Sequence, residues 1–349
     1  MDSGISFFSE YRGWSCDDVI SFKIVLANST IVEASYESHA GLYRALRGGG
    51  GNFGIVTEIT MATFNKAPSH YTFKQWEWSA RGFVFAALAL DAAAMPEGVT
   101  MIATTIAWHP SSARFVISER YVADAGVRET SSTGSTPKPE QRFGYYKSTL
   151  DMAEKMDRMN PIGFYNLFGS ITVRNDAAAF VDVADIFQEI MYSATAAEDI
   201  QMYTVFNPLT VPAIKAMQKR GGNVLGLKPQ DGPLMVVNLN MRWSNPADTS
   251  FLRLLFKDLL ARAKQASATR NALHPLLFLN HAYEEEDVFA GYGEQSLQWL
   301  RQVRHAVDPD GIFQRLVPGY FKLGMELGSA GDTTGVTRQK DEVARRSEL

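Results

Sequence analysis

Four consecutive glycines, Gly48-Gly49-Gly50-Gly51, most limit how this chain can fold. Glycine is selected where the backbone takes positive φ or where another group must come very close. The run lies between a segment of helical character, Ala40 to Leu46, and an alternating segment, Gly54 to Phe64, which reads as a strand buried on one face. A turn without side chains that feeds a strand presents bare backbone N–H groups, which suits a polyphosphate or an adenine. Taken alone, a glycine run is more often a plain flexible turn.

The surrounding pattern mixes strands and helices in irregular order, which predicts α+β layers rather than a doubly wound sheet. Phe22 to Leu26 and Thr30 to Ala34 read as strands joined by a hairpin at Ala27-Asn28-Ser29. Ser38 is a candidate helix cap before Leu46. Further strands are expected at Tyr71 to Ser79, Met101 to His109, Arg114 to Val122, within Ile162 to Arg174, at Ile200 to Asn207 and at Leu234 to Trp243. Helices are expected at Gly82 to Met95, Leu150 to Met156, Asp176 to Ser193, Pro246 to Ala268 and Gln295 to Val307. Phe180, Val183, Ala184, Phe187 and Met191 form one stripe, and Phe251, Leu254, Leu255 and Leu259 another. Asp124 to Gln141, rich in Ser, Thr, Gly and Pro, reads as a long surface loop.

Bulk properties exclude several function classes. With 349 residues the chain can bury large cores in more than one structural unit. A hydrophobic content of 46% and a charged content of 21% are those of an ordinary globular protein. The net charge of -4 gives no reason to expect a nucleic-acid or acidic-membrane partner. The apolar stretch Gly82 to Leu90 is too short to cross a bilayer, and Arg81 and Asp91 bracket it. The single cysteine, Cys16, rules out an internal disulfide and a thiolate metal cluster. Met1-Asp2-Ser3-Gly4 lacks a signal peptide, so the chain as written is expected to be cytoplasmic.

Two sets of residues carry a resemblance. The first is Gly4-Ile5-Ser6-Phe7-Phe8-Ser9, Tyr11-Arg12-Gly13-Trp14, Cys16-Asp17-Asp18-Val19, Lys23 to Ser35, and Leu46-Arg47 through the glycines to Asn52-Phe53-Gly54-Ile55-Val56-Thr57. The second is Phe278-Leu279-Asn280, Tyr292-Gly293, Val307-Asp308-Pro309-Asp310-Gly311-Ile312-Phe313-Gln314 and Pro318 to Leu323. In order and spacing they resemble the FAD-linked oxidases of the vanillyl-alcohol-oxidase superfamily, with a PCMH-type FAD-binding fold, in the berberine-bridge-like, fungal branch. The middle of the chain, about half of it, carries no matching motif.

The resemblance implies an incomplete FAD-binding domain plus an antiparallel sheet backed by helices as the substrate domain. Residues 1–66 would be the C-terminal half of the FAD domain and 67–275 the substrate domain. Residues 276–324 would return to the flavin domain, and 325–349 would be a disordered tail. The expected activity is that of an FAD-dependent oxidoreductase, moving a hydride from a small secondary metabolite or alcohol to flavin N5, with O2 as final acceptor. Relatives hold a histidine and often a cysteine upstream that bond the flavin; neither is in this chain, so FAD would be noncovalent. The short N-terminus would leave part of the FAD site missing. A flavin-free non-redox cyclase or small-molecule binder is the alternative. Full-length relatives are often secreted, and oligomeric state is open.

Carried over residue by residue, Gly4 and Ser6 match a turn beside the pyrophosphate. Gly54, Ile55 and Val56 match main chain that meets adenine and ribose. Asn280 matches an asparagine near the isoalloxazine, where its amide can donate or accept. His281 beside a flavin could serve as a general base, although a lone histidine is more often structural. Tyr203 lies in a strand whose counterpart faces the flavin. Asp18 replaces an asparagine and would repel a pyrophosphate unless protonated or turned away. Glu284-Glu285-Glu286-Asp287 could suggest a metal, but adjacent carboxylates are more often a solvated face. Trp76, Trp78, Tyr165, Tyr203 and Trp243 could line an aromatic pocket or simply pack the sheet.

Overall fold

The computed structural model describes residues 3–66, 68–95, 97–109, 112–127, 138–158, 162–197, 199–319 and 321–324. The tail expected at 325–349, and residues 128–137 of the loop expected at 124–141, lie outside the described residues. Two antiparallel sheets organise the chain. The small one is formed by β1 (Val19–Val25), β2 (Ile31–Ser35) and β3 (Ile55–Met61), in the order β2-β1-β3. The large one contains β4 (Ser69–Glu77), β5 (Val99–His109), β6 (Arg114–Ala123), β7 (Gln141–Lys147), β8 (Tyr165–Arg174), β9 (Gln201–Leu209), β10 (Leu234–Trp243) and β11 (Leu273–His274). Its order is β11-β8-β10-β9-β5-β6-β4-β7. The helices are α1 (Ser9–Arg12), α2 (Ala40–Leu46), α3 (Arg81–Ala93), α4 (Thr149–Arg158), α5 (Ala177–Ala194), α6 (Val211–Ala216), α7 (Thr249–Thr269), α8 (Glu294–Val307) and α9 (Ile312–Arg315).

Helices α3, α5 and α7 cover one face of the large sheet. Their apolar stripes, Val84-Phe85-Leu88, Phe180-Val183-Phe187 and Leu252-Phe256-Leu259, share one core with alternate residues of β8, β9 and β10. The stripe expected on α5 is buried as read. On α7 the buried face instead runs Leu252, Phe256, Leu259, Leu260 and Ala263, while Leu254 is 70% exposed. The two stripes differ by one residue, about 100° of helical rotation. Strand β7 follows the expected loop, in a stretch for which no strand was expected. Ser38 is not the cap of α2: His39 holds that position at φ 52°, and the Ser38 hydroxyl contacts His39 Nδ1. β3 has no fully buried position: Val56 and Ile59 are half-buried against the second core, and its other residues are exposed, so the expected one-sided burial is only partial.

A second core joins the small sheet to the end of the large one. It contains Trp14, Phe22, Tyr43, Phe53, Leu209, Leu234, Val236, Phe278, Phe289 and Leu300. The glycine run is packed inside it. A Cβ on Gly49 would lie 2.3 Å from the Ala45 carbonyl and 2.7 Å from the Phe53 ring, and one on Gly48 would lie 3.1 Å from Leu225. The Gly48–Gly49 part of the turn is thus filled by protein and is not an open cradle for a polyphosphate. Asn52, fully buried, donates to the Gly49 and Phe321 carbonyls and accepts from the Leu323 amide, pinning Phe321 and Leu323 beside the turn.

Arg47, immediately before the glycines, is also fully buried. It donates to Asp17 at 2.9 Å, to the carbonyls of Cys16 (3.1 Å) and Gly222 (2.7 Å), and to those of Lys219 and Arg220. Asp17 also accepts from Asn223 and from the Trp14 amide. Removing one partner of such a pair strands the other charge in a medium that cannot solvate it. Arg47→Met is expected to lower the unfolding free energy by about 3–5 kcal/mol in a urea titration at pH 7. An unchanged midpoint would show that the cluster is not structural.

Candidate functional site

The face of the large sheet away from α3, α5 and α7 carries two asparagines beside serine, threonine and tyrosine side chains. Side chains alternate along a strand. On β10, Met235, Val237, Leu239, Met241 and Trp243 enter the helix-side core, so Asn238 and Asn240 point to the opposite face. Register sets Phe168, Asn240, Tyr203 and Ala107 abreast on β8, β10, β9 and β5. The neighbouring row is Ser170, Asn238, Val205, Thr105 and Ser118.

Asn240 Nδ2 donates to the carbonyls of Tyr203 (3.4 Å) and Asn238 (3.3 Å), which fixes its amide orientation. Its Oδ1, the Asn238 Oδ1 and the Thr105 hydroxyl are buried and have no partner. These residues are 3%, 4% and 7% exposed. An unsatisfied buried acceptor costs about 1–3 kcal/mol, so a row of them marks a place that a ligand or water completes. Sequence reasoning passed over this row. Its signal was two asparagines at alternate positions of a strand that is otherwise apolar except for Arg242, a setting where asparagine is disfavoured.

The turn at Leu279–His281 borders the same face. The Phe278 amide donates to Ser170 Oγ at 3.1 Å and anchors it to β8. The His281 ring stacks on Phe168 (5.2 Å between centroids, 21° between planes) and meets Phe278 edge-on. Its Nδ1 is buried without a partner. Burial pushes its pKa down to about 4, so the ring is neutral at pH 7. With its proton on Nε2, the ring offers Nδ1 as an acceptor. Burial raises the Tyr203 phenol, which therefore keeps its proton and can donate. Phe168, under His281, and Tyr203 stand two strands apart, about 10 Å at ordinary strand spacing.

The N-terminal segment reaches this border. Ser3 Oγ donates to Asn280 Oδ1 at 2.6 Å. Gly4 has φ 138° and accepts from the Ser15 amide at 2.7 Å. The Ser6 amide donates to Ser9 Oγ (2.9 Å), and Ser6 Oγ accepts from the Phe8 amide. Phe7 packs edge-on against Tyr71 of β4. The structure thus brings Ser3-Gly4 and Asn280-His281 together and places Tyr203 across the face from them. Gly54, Ile55 and Val56 belong to the small sheet. A Cβ on Gly54 would fall 2.5 Å from the Val25 carbonyl, and Ile55 is 58% exposed.

Other candidates resolve into structure. Asp18 is turned onto Arg12 at 2.5 Å. Glu284, Glu285 and Glu286 pair with Arg253, Lys257 and Lys264 along α7, and no metal-binding group occurs among the described residues. Trp76 and Trp243 are core residues on the helix side.

His281 gives the fold an acid-sensitive element. Its folded pKa, about 4, is below the ordinary 6.5. The native state therefore prefers the neutral ring, and stability present above pH 6.5 is lost as pH falls through 4. His281→Gln should remove about 1–3 kcal/mol of the acid destabilisation between pH 7 and 4 in urea titrations. Equal slopes for variant and wild type would contradict the burial of this imidazole.

No protein-family model matches the chain. It is 30% identical over 338 residues to a FAD-dependent monooxygenase of Fusarium proliferatum, spanning 93% of this chain and 65% of that protein. It is also 30% identical over 346 residues to a FAD-dependent monooxygenase of Cochliobolus heterostrophus, again spanning 65% of it. The chain thus covers just under two thirds of the length of these relatives. The crystal structure of 6-hydroxy-D-nicotine oxidase from Arthrobacter nicotinovorans superposes with a TM-score of 0.71 at 16% identity, covering 94% of this chain and 70% of that one. The chain has the mixed helix and antiparallel-sheet fold of the berberine-bridge-like FAD oxidases.

Proposed function

We propose that this chain forms the substrate side of an FAD-dependent oxidoreductase that oxidises a small secondary metabolite or alcohol. The observation that carries the reading is the row of unpartnered buried acceptors on the open face of the large sheet, closed at one border by His281 and Asn280. The relatives' names and the shared fold support it.

The residues at this border fit the ring end of FAD. His281 Nδ1 is orphaned within an aromatic stack, and the exposed Asn280 amide lies beside it. The pyrophosphate end is less well provided. The Ser6 amide is already engaged by Ser9, and the Gly48–Gly49 turn is filled. When bound, FAD supplies the acceptor for two electrons and the substrate hydrogen, with O2 as the final acceptor. This chain's own residues orient the substrate. Tyr203 donates a hydrogen bond, Asn240 Oδ1 accepts one, and His281 Nδ1 accepts from the hydroxyl or amine next to the oxidised carbon. A neutral ring of low basicity positions that proton without holding a charge in the low-dielectric stack.

The test is the visible spectrum of the purified chain after incubation with FAD and desalting. Retained flavin bands, bleached without oxygen by a member of a panel of alcohols and fungal metabolites, are expected. A chain folded by circular dichroism that retains no flavin overturns the reading for this chain.

A further inference from the structure

A second polar feature lies on the open face, away from His281. Along β6 every residue from Phe115 to Ala123 is buried except Arg120. Arg120 alternates with the core residues Ile117, Tyr121 and Ala123 and shares its face with Val122, which packs with Tyr71 and Met152. Its cross-strand neighbours are Ala103 on β5 and Phe73 on β4. Ala103 leaves room on one side. On the other side Phe73 stacks on Phe143 at 4.8 Å and 22°, and Phe143 stacks on Tyr145 at 6.0 Å and 14°. Arg120 is therefore flanked across the ladder by a methyl group on one side and the aromatic slab on the other, with Phe143 itself 45% exposed.

Among the described residues, no carboxylate or other acceptor pairs with Arg120. The adjacent acid, Glu119, points to the opposite face with Lys74 Nζ 3.8 Å away. Asp151, at the start of α4, is engaged by Ser148. Burial lowers the Arg120 pKa, with Tyr145 the one group acting against it. A part-buried cation without a counter-charge is costly, and guanidinium has the planar fork that receives a carboxylate with two parallel hydrogen bonds. The flat slab beside it favours a flat partner.

We infer that Arg120 is a specificity residue that takes the carboxylate of an aromatic or conjugated acid, whose ring lies against Phe73 and Phe143. This deepens the proposed function and rests on reading this face as the substrate side. It places the group to be oxidised toward Tyr203 and His281 and the acid toward β6. It also explains why the two ends differ: the His281 end presents neutral acceptors, with the cation Arg242 already donating to Gln201, and the Arg120 end a guanidinium that no described acceptor pairs.

The test needs no flavin, so its outcome is separate from that of the redox reading. 2-Naphthoate and its neutral isostere 2-naphthamide are titrated into the chain by calorimetry. Naphthoate is expected to bind the wild type about 10- to 100-fold more tightly than the amide, the usual range for a hydrogen bond to a charged group. Arg120→Gln should abolish that preference, Arg120→Lys should restore part of it, and Phe143→Ala should weaken both ligands alike. Circular dichroism checks that each variant is folded. Equal binding of acid and amide by the wild type overturns the inference, as does an undiminished preference in Arg120→Gln. Displacement of naphthoate by inorganic phosphate at matched concentration would also overturn it, by showing an anion site without selection for an aromatic acid.

Discussion

The buried contact between Arg47 and Asp17 holds the two halves of this fold in register. Its partners come from three distant segments: the turn at Ser15–Asp18, the end of α2, and the 219–223 loop after α6. The next strand after that loop is β10, which carries Asn238 and Asn240. Two charges taken out of water gain little from each other unless their remaining hydrogen-bonding capacity is met. Here Arg47 spends its donors on four backbone carbonyls besides Asp17, and Asp17 accepts from an amide and an asparagine. Burial still pushes Asp17 up to about 6, against Arg47 and those hydrogen bonds, so the carboxylate is charged at neutral pH but without great excess. Such a node gives specificity of arrangement more than raw stability, because an apolar replacement could fill the volume without fixing the loop.

The same node accounts for what the glycine run does. Positive φ occurs at Gly48 and Gly50, and Gly49 leaves no room for a Cβ. The turn must be this tight because Leu225, Phe53 and Leu300 converge on it. Tyr292 donates to the Gly48 carbonyl, and Asn52 ties the turn to the chain near Leu323. Close approach was the right physical reason for four glycines, but the approaching group is the protein's own core.

What could be read in the sequence follows from how local each signal is. The α5 stripe was legible because Phe180, Val183, Phe187 and Met191 are large, apolar and buried at helical spacing, with Val181 and Ile186 only at its edge. On α7 the leucines are so numerous that two adjacent stripes look alike. Only packing against β8, where Gly169 admits Leu260, selects the one that is buried. Asn280 and His281 were found through a motif, and the structure puts them at the edge of the open face. Asn238 and Asn240 were missed because strand periodicity tells which residues share a face but not which face has a helix on it. β7 was missed because its pairing with β4 is long-range and its neighbouring loop is polar.

The open face separates two kinds of chemistry by distance. At the β8 border the two groups assigned to the substrate are held neutral: burial keeps His281 unprotonated and Tyr203 protonated, so each has a fixed direction in a hydrogen bond, while Arg242, a cation on the same face that acts on Tyr203, donates to Gln201. Three strands from β10, Arg120 keeps a charge that nothing described neutralises. Keeping His281 and Tyr203 neutral avoids placing their own charge beside a reacting carbon, where it would bias ground state and transition state alike. A cation at the far end can then bind an acid without perturbing that border, since its field weakens with distance. On the proposed reading, binding energy gathered at Arg120 and the aromatic slab orients the substrate toward the border where Asn240, Tyr203 and His281 meet it. That division of labour requires a rigid floor between the two ends, which the continuous antiparallel ladder from β10 through β9 and β5 to β6 provides.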